Sequence, residues 1–324
     1  MQIKKYLASC KPEFSIKALI KELLAWAYIL IPIGYLFVFF HKLLCGRRKK
    51  KFKYEVSVCM IFKNEAKVLK EWIEYHHLIG VDHFYLYNNF SDDNYLSVLQ
   101  PYVEQGVVTL IEWPMKYGQM PAYYDCYEKT KDETHWLGYI DADEFVNLQE
   151  GNNIKDFLKK YQAYPVLYLY WRMFGTSGLL NEPEDYLITE EFTASWPWLC
   201  NIGKSFINNS YKNIKVGMHQ SIGYVAKFPI FSVDDKKFFK PFFTNIFSDI
   251  CGYTPKAYIN HYWSRSYEFY QYKDFVRGDA DSENNVKVRT SSGRFELHEL
   301  NNSVRDYSIQ RWLVLLKKQM QKKN

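Results

Sequence analysis

The chain lacks the two glycine-rich fingerprints that commonly hold phosphate in α/β proteins. No G-x-G-x-x-G follows its first strand-like run, and no G-x-x-x-x-G-K-[ST] occurs anywhere in its 324 residues. That argues against a dinucleotide oxidoreductase and a P-loop NTPase. Cysteine is sparse as well: Cys10, Cys45, Cys59, Cys126, Cys200 and Cys251 include no C-x-x-C pair and no regular spacing. A disulfide framework is not indicated, and the thiols read as reduced and mostly buried. Acidic charge is not in excess. Lys and Arg outnumber Asp and Glu by 42 to 36, and basic residues gather near 42–53 and 317–323. Such clustering suits an anionic surface and speaks against a nucleic-acid partner. Three Asn-x-Ser sequons, at Asn89, Asn208 and Asn301, match what chance supplies in so Asn-rich a chain, and they assign no compartment.

Aromatic residues, by contrast, are abundant: 28 Tyr, 23 Phe and 9 Trp. Rings of this kind stack on sugars or settle at a membrane interface, although a general bias toward Tyr, Phe, Lys, Asn and Ile supplies part of the excess. Leu23 to Phe40 carry no charge and follow a basic stretch. As a helix they would span about 27 Å, close to the thickness of a bilayer's hydrocarbon core. His41 to Lys53 then form a juxtamembrane basic cluster of the kind anionic lipids attract. Residues 1–53 therefore read as a membrane anchor. It is either a single span or a re-entrant hairpin broken at Pro32-Ile33-Gly34, and both place the remainder at the cytoplasmic face.

From Tyr54 onward, short apolar runs alternate with amphipathic segments. Val56–Phe62, His83–Tyr87, Val107–Trp113, Trp136–Ile140 and Val166–Met173 read as five strands. Between them, Leu69, Trp72, Ile73 and His76 follow helical spacing, as do Leu96, Leu99 and Val103, the segment Met120–Lys129, and Ile154, Phe157, Leu158 and Tyr161. Such alternation predicts an α/β fold with a doubly wound, mostly parallel sheet. At the far end, Ile309, Trp312, Leu313 and Leu316 form a stripe among Arg311, Lys317, Lys318, Lys322 and Lys323. This basic amphipathic helix either packs on the domain, the favoured reading, or rests on a membrane.

The fourth predicted strand ends abruptly in Asp141-Ala142-Asp143-Glu144. Residues i and i+2 share one face of an extended segment, so both aspartates can reach one hard cation, or divide a cation and a ribose hydroxyl between them. Without a glycine cradle, a cation is the remaining means of holding a pyrophosphate, and these carboxylates are placed to hold that cation. On the motif alone, a solvated acidic turn competes with this reading.

The runs Ile61-Phe-Lys63-Asn64-Glu65-Ala66, Glu71-Trp72-Ile-Glu-Tyr75-His76, Gly80 to Asn88, Gln119, Ala122-Tyr123 and Asp141 to Phe145 together resemble glycosyltransferase family 92. The likeness continues through Arg172 to Gly178, Glu190 to Thr193, Lys204-Ser205 and Asn260 to Ser266, covering about residues 56–280. It implies a type-A glycosyltransferase fold, with Mn²⁺ or Mg²⁺, a UDP-sugar donor, a glycan or lipid-linked saccharide acceptor, and an inverting transfer. The catalytic domain would be residues 54–280, divided into a nucleotide-sugar half (54–165) and an acceptor half (166–280), with 281–324 as a tail. Asn64, Glu65 and Gln119 would line the donor pocket, and Asn88 and Asp93 would face uracil, with Asn88 standing where the pattern leads with Asp. Asp141 and Asp143 would carry the metal, joined by His261 or His219, while Glu144 supports the loop. Lys204, Arg265, Lys273 and Arg277 could neutralise phosphate, with a solvated surface charge as the competing role of each and the favoured one for Lys273. Glu190 would be the general base, with Glu191, Asp185 and Asp234 as alternatives and a structural salt bridge as its competing role. Residues 171–200, rich in Trp, Gly and Pro, would wall the acceptor. Two other classes compete. A nucleotidyltransferase would need a Gly-rich basic loop where Lys63-Asn-Glu-Ala stands, and a catalytically silent glycan-binding scaffold would not need Asp141.

Overall fold

The computed structural model describes residues 51–200, 202–225, 255–277 and 294–321, with two short strands near residue 230 and four isolated positions before residue 51. Apart from those positions and residues 51–53, the predicted anchor lies outside the described residues. Among the described residues, no helix is long and apolar enough to cross a membrane.

Seven elements alternate from the start of the described domain: β1 (Tyr54–Phe62), α1 (Ala66–Leu78), β2 (His83–Asn88), α2 (Tyr95–Glu104), β3 (Val108–Glu112), α3 (Gln119–Thr130) and β4 (Thr134–Tyr139). Side chains along β1 point alternately to two faces. Val56, Val58, Met60 and Phe62 join a core with Leu69 and Trp72 of α1 and Leu99 of α2, whereas Cys59 and Ile61 join another with Ala122, Tyr123 and Cys126 of α3. Helices thus cover both faces, which explains why the strand reads as a continuous apolar run instead of an alternating one. The four strands lie parallel in the order β3-β2-β1-β4. In α2 the inward residues are Tyr95, Leu99 and Tyr102, while Leu96, expected on that stripe, is exposed.

The chain continues through β5 (Glu144–Leu148), α4 (Ile154–Lys159), β6 (Val166–Met173), α5 (Ile188–Glu191), β7 (Ala194–Ser195) and β8 (Gly203–Asn208). Short strands follow: β9 (Asn213–Lys215), β10 (Ile222–Val225), β11 (Phe228–Ile230) and β12 (Val233–Asp234), then β13 (Ala257–His261). The main sheet extends from β4 in the order β8-β6-β13-β5. Here it is mixed: β8 runs antiparallel to β4 and β6, and β13 runs parallel to β6 but antiparallel to β5. The strand predicted fifth is therefore the sixth in the chain. An unpredicted one, β5, starts directly after the Asp-x-Asp turn. Its five residues are all buried, so they show no period-two pattern, and its partner β13 lies more than a hundred residues downstream.

The last elements are α6 (Tyr267–Gln271), a π-helical turn (Tyr272–Arg277), α7 (Arg294–Glu299), β14 (Val304–Arg305), a 3₁₀ turn (Ser308–Trp312) and α8 (Leu313–Met320). Ile309, Trp312 and Leu316 belong to the main core, so this end packs on the domain, with Val314 and Leu315 turned outward. Cys59, Cys126 and Cys200 are buried and not joined in disulfides; the other three cysteines lie outside the described residues.

Candidate active site

Beyond β4, Ile140 to Asp143 turn the chain into β5 at the carboxyl edge of the parallel strands, where open α/β sheets place their ligands. Two devices hold this turn. Glu144 Oε2 accepts the Asp141 N–H at 3.0 Å, and the Trp72 indole N–H donates to the carbonyls of Asp141 (2.9 Å) and Glu144 (3.0 Å). Glu144 thus supports the loop, as expected.

Each aspartate carries an ammonium ion. Asp141 Oδ2 accepts from Lys204 Nζ at 2.7 Å, and its Oδ1 accepts from the Tyr123 hydroxyl at 2.9 Å. Asp143 Oδ2 accepts from Lys273 Nζ at 2.5 Å, while its Oδ1 lies 3.7 Å from His261 Nε2. Lys204 is delivered by β8, the antiparallel strand beside β4. Gly203 lets β8 lie close against β6 on its other side, because a Cβ there would come within 1.8 Å of the Leu169 carbonyl oxygen. His261 ends β13 directly opposite Glu144. Lys273 comes from the π-helical turn, a rare conformation frequently found at functional sites. Its reading as a solvated surface charge is overturned, since the residue is only 8% exposed.

Burial alone would raise the carboxyl pKa values of both aspartates. Lys204 reverses this for Asp141, and Lys273 with His261 does so more strongly for Asp143, so both titrate below the usual carboxylate range. Burial also works against the Lys204 ammonium, but Asp141 and Glu144 outweigh it and lift its pKa. Burial lowers the pKa of His261 against the pull of Asp143; burial and Lys204 lower that of His219 to about 3. Both imidazoles pack against Trp171, with ring centroids 4.3 Å (His261) and 5.1 Å (His219) away, and the Nδ1 atom of each has no hydrogen-bond partner. Both are neutral near pH 7, the form in which imidazole binds metals. The two carboxylates fit Mn²⁺ or Mg²⁺ by donor type, and the adjacent neutral imidazole suits the softer Mn²⁺ better than Mg²⁺. Among the described residues, however, no three such groups stand ready as a cage.

The other predicted donor residues divide into two groups. Gln119 joins the site indirectly: its Nε2 donates to the Tyr123 hydroxyl at 3.2 Å, which in turn holds Asp141. Asn64, at φ +54, ties two loops together, since its N–H donates to Ser91 Oγ and its Oδ1 accepts the Asp92 N–H. Asp93 accepts the Ala66 N–H at the start of α1. Asn88 is buried, with its amide nitrogen on Tyr95 and Glu112 and its oxygen on the Ser91 N–H. Arg265 is buried between Glu65 and Glu182, its guanidinium over the Phe269 ring, and Arg277 pairs with Glu65 as well. Arg265, Arg277 and Glu65 therefore form a separate ion cluster, apart from the aspartates.

Glu190 is not brought to the aspartates either. Its carboxylate pairs with Lys317 of α8 at 2.5 Å, and its backbone carbonyl accepts from Gln310. The competing salt-bridge role is the one its contacts display. Glu191 shares the same short helix, Asp185 lies in the loop before it, and the side chain of Asp234 lies outside the description. Sequence reasoning missed Trp72 and Tyr123 as supports of the motif; both stand inside the quoted family runs, but nothing in their spacing points at Asp141.

The sequence model of glycosyltransferase family 92 matches residues 53–238, more than half of the chain. A family 92 protein of Ricinus communis is 31% identical over 143 residues, which are 43% of this chain and 26% of that protein. A family 92 protein of Oryza sativa subsp. japonica is 31% identical over 140 residues, 42% and 24% of the two chains. The match thus spans about a quarter of the length of these relatives. Among solved structures, S. aureus TarS 1–349 in complex with UDP aligns with a TM-score of 0.31 and 15% identity, covering 40% of this chain and 38% of that one. Glucosyl-3-phosphoglycerate synthase from Mycobacterium tuberculosis aligns with a TM-score of 0.26 and 14% identity, covering 37% and 44%. At such scores the structures add nothing to the assignment, which the family match carries. The family match assigns this mixed α/β sheet, with paired acids at its carboxyl edge, to a family of glycosyltransferases. The chain belongs to glycosyltransferase family 92.

Proposed function

We propose that this protein is a metal-assisted glycosyltransferase that moves a hexose from a UDP-sugar to a glycan or lipid-linked saccharide, with inversion, at the cytoplasmic face of a membrane. The observation that carries the reading is the pairing of Asp141 and Asp143 with two buried ammonium ions at the carboxyl edge of β4. The two carboxylates and two ammonium ions balance one another, so with a divalent cation added the cluster carries the positive charge that a pyrophosphate complements. Lys204 and Lys273 would neutralise its oxygens. Asp141 and Asp143, with His261 as the adjacent nitrogen donor, would hold Mn²⁺ or Mg²⁺, which when bound supplies electrostatic stabilisation of the departing diphosphate. Tyr123 keeps Asp141 oriented, and Trp72 keeps the turn from drifting. The reading gives Glu190 no part in proton transfer, because its carboxylate is tied to Lys317. Family membership supports the sugar-transfer class, and the basic apolar segment at 23–53 supports the membrane location.

The test is release of UDP from a panel of UDP-sugars by the full chain in detergent, with Mn²⁺ and with chelator, in the wild type and Asp143→Asn. Metal-dependent turnover of one sugar, lost in the variant, is expected. Turnover of no UDP-sugar, together with no binding of UDP, overturns the donor assignment.

A further inference from the structure

Two of the chain's own cations already hold the carboxylates that a divalent metal would need. Lys204 is 0% exposed, with its ammonium 2.7 Å from Asp141 and 3.7 Å from Glu144. Lys273 reaches Asp143 from 130 residues downstream and also donates to the Trp263 carbonyl at 3.2 Å. Neither ammonium lies in bulk water, where leaving a partner costs little. A buried ion that loses its partner is strongly penalised. A divalent cation arriving alone would displace both ammonium ions and leave them next to a new double positive charge. A diphosphate arriving alone would bring negative charge against two carboxylates. Only when both arrive does every charge keep an opposite neighbour: the carboxylates on the metal, the ammonium ions on phosphate oxygens.

We propose that Lys204 and Lys273 are exchangeable counterions of the Asp-x-Asp pair, which make divalent-metal binding and nucleoside-diphosphate binding mutually dependent. The proposal rests on the donor reading above and extends it to how the site fills. Two features of the fold favour an exchange. Lys273 stands on a π-helical turn, a conformation frequent at functional sites, and is joined to Asp143 through its flexible side chain alone. The backbone of the Asp-x-Asp turn is fixed by Trp72 and Glu144, so an exchange would be made by rotation of the long lysine side chains while the turn keeps its place. Asp141 also retains the Tyr123 hydroxyl on its other oxygen if Lys204 departs.

The test is calorimetric titration of the full chain with Mn²⁺ alone, UDP alone and Mn²⁺ at saturating UDP, corrected for Mn²⁺ complexed by free UDP. Electron paramagnetic resonance reports bound Mn²⁺ independently. UDP is expected to tighten Mn²⁺ binding at least about ten-fold, and Mn²⁺ to tighten UDP by the same factor, as linkage requires. In Lys273→Met, Mn²⁺ alone is expected to bind about ten-fold more tightly than in the wild type, and the mutual enhancement to shrink to within about three-fold. Lys273→Gln, which keeps a polar side chain, guards against a Met variant that fails to fold, as checked by circular dichroism. Mn²⁺ binding to the wild type equally tightly with and without UDP overturns the proposal, as does an unchanged Mn²⁺ affinity in a folded Lys273 variant. If no UDP binds, the donor reading fails by itself, and the Mn²⁺ affinity of the Lys273 variants still decides the exchange.

Discussion

Trp72→Phe probes the least obvious support of the site. The Trp72 indole is fully buried, and its single N–H bridges the carbonyls of Asp141 and Asp143's neighbour Glu144, at 2.9 and 3.0 Å. Phenylalanine keeps a ring against Phe84 and His76 but deletes the donor nitrogen and about two ring carbons. The lost hydrogen bond is worth about 1 kcal/mol net, and somewhat more where carbonyls are left short of partners. The lost ring atoms, at ~0.8 kcal/mol each, add about 2 kcal/mol. A destabilisation of about 3 kcal/mol is therefore expected in urea unfolding, together with at least a ten-fold loss of Mn²⁺-dependent UDP affinity because the turn is no longer pinned. Trp136→Phe is the control. That indole is equally buried on β4, but its N–H has no partner. The same truncation there removes the ring atoms alone, and should cost about 2 kcal/mol and spare UDP affinity. If both variants lose stability and UDP affinity equally, the Trp72 bridge is irrelevant and the account of the turn is wrong.

Three further outcomes are expected. Asp143→Asn leaves the Lys273 ammonium buried without its carboxylate, at a cost of about 3 kcal/mol; adding Lys273→Met should recover most of that stability without restoring Mn²⁺-dependent UDP binding. A double variant no more stable than the single one would show that the pair is not a buried unit. Glu71 caps α5 through the Ile188 and Thr189 N–H groups and the Thr189 hydroxyl, yet burial raises its pKa from 4.5 to about 7 despite those bonds. A folded pKa above the unfolded one gives stability that is complete below pH 4.5 and lost as pH rises through 7, about 3 kcal/mol in all. Glu71→Gln lacks that loss, so its stability relative to wild type should improve across this window, and a constant difference in denaturant midpoints refutes the argument. Glu190→Gln breaks a half-exposed pair with Lys317, worth at most about 1 kcal/mol, and should leave transfer rates within about three-fold; a hundred-fold fall would reinstate Glu190 as the base.

The parallel half of the sheet was legible because its pieces are neighbours in sequence. The apolar runs at β1, β2 and β3 pair with a strand next to them along the chain, β4 is marked by its own apolar run although its partner β1 lies well upstream, and the abrupt end of β4 in Asp141 and Asp143 marks the ligand edge without any knowledge of pairing. The mixed half was legible chiefly at β6. β5 and β8 are short and fully buried, so no period-two pattern marks them, and the pairing of β13 with β5 joins segments far apart in the chain. The same distance hides Lys273. Nothing within its own segment distinguishes it from a surface lysine, and only Asp143, 130 residues upstream, makes it a buried ion. The loop residues show a subtler divergence. Asn64 and Glu65 were expected to touch the nucleotide, and the structure sets them to other tasks. Asn64 Nδ2 donates to the Tyr272 hydroxyl, Arg277 donates to the Lys63 carbonyl, and Glu65 pairs with Arg277. Tyr272 and Arg277 are the two ends of the π-helical turn that carries Lys273. The first βα loop therefore clamps that turn at both ends and sets where the Lys273 ammonium meets Asp143. A family run of Asn and Glu after the first strand is explained by this geometry without a direct ligand contact, because a misplacement of about 1 Å in a charge this close to its partner is enough to undo the site.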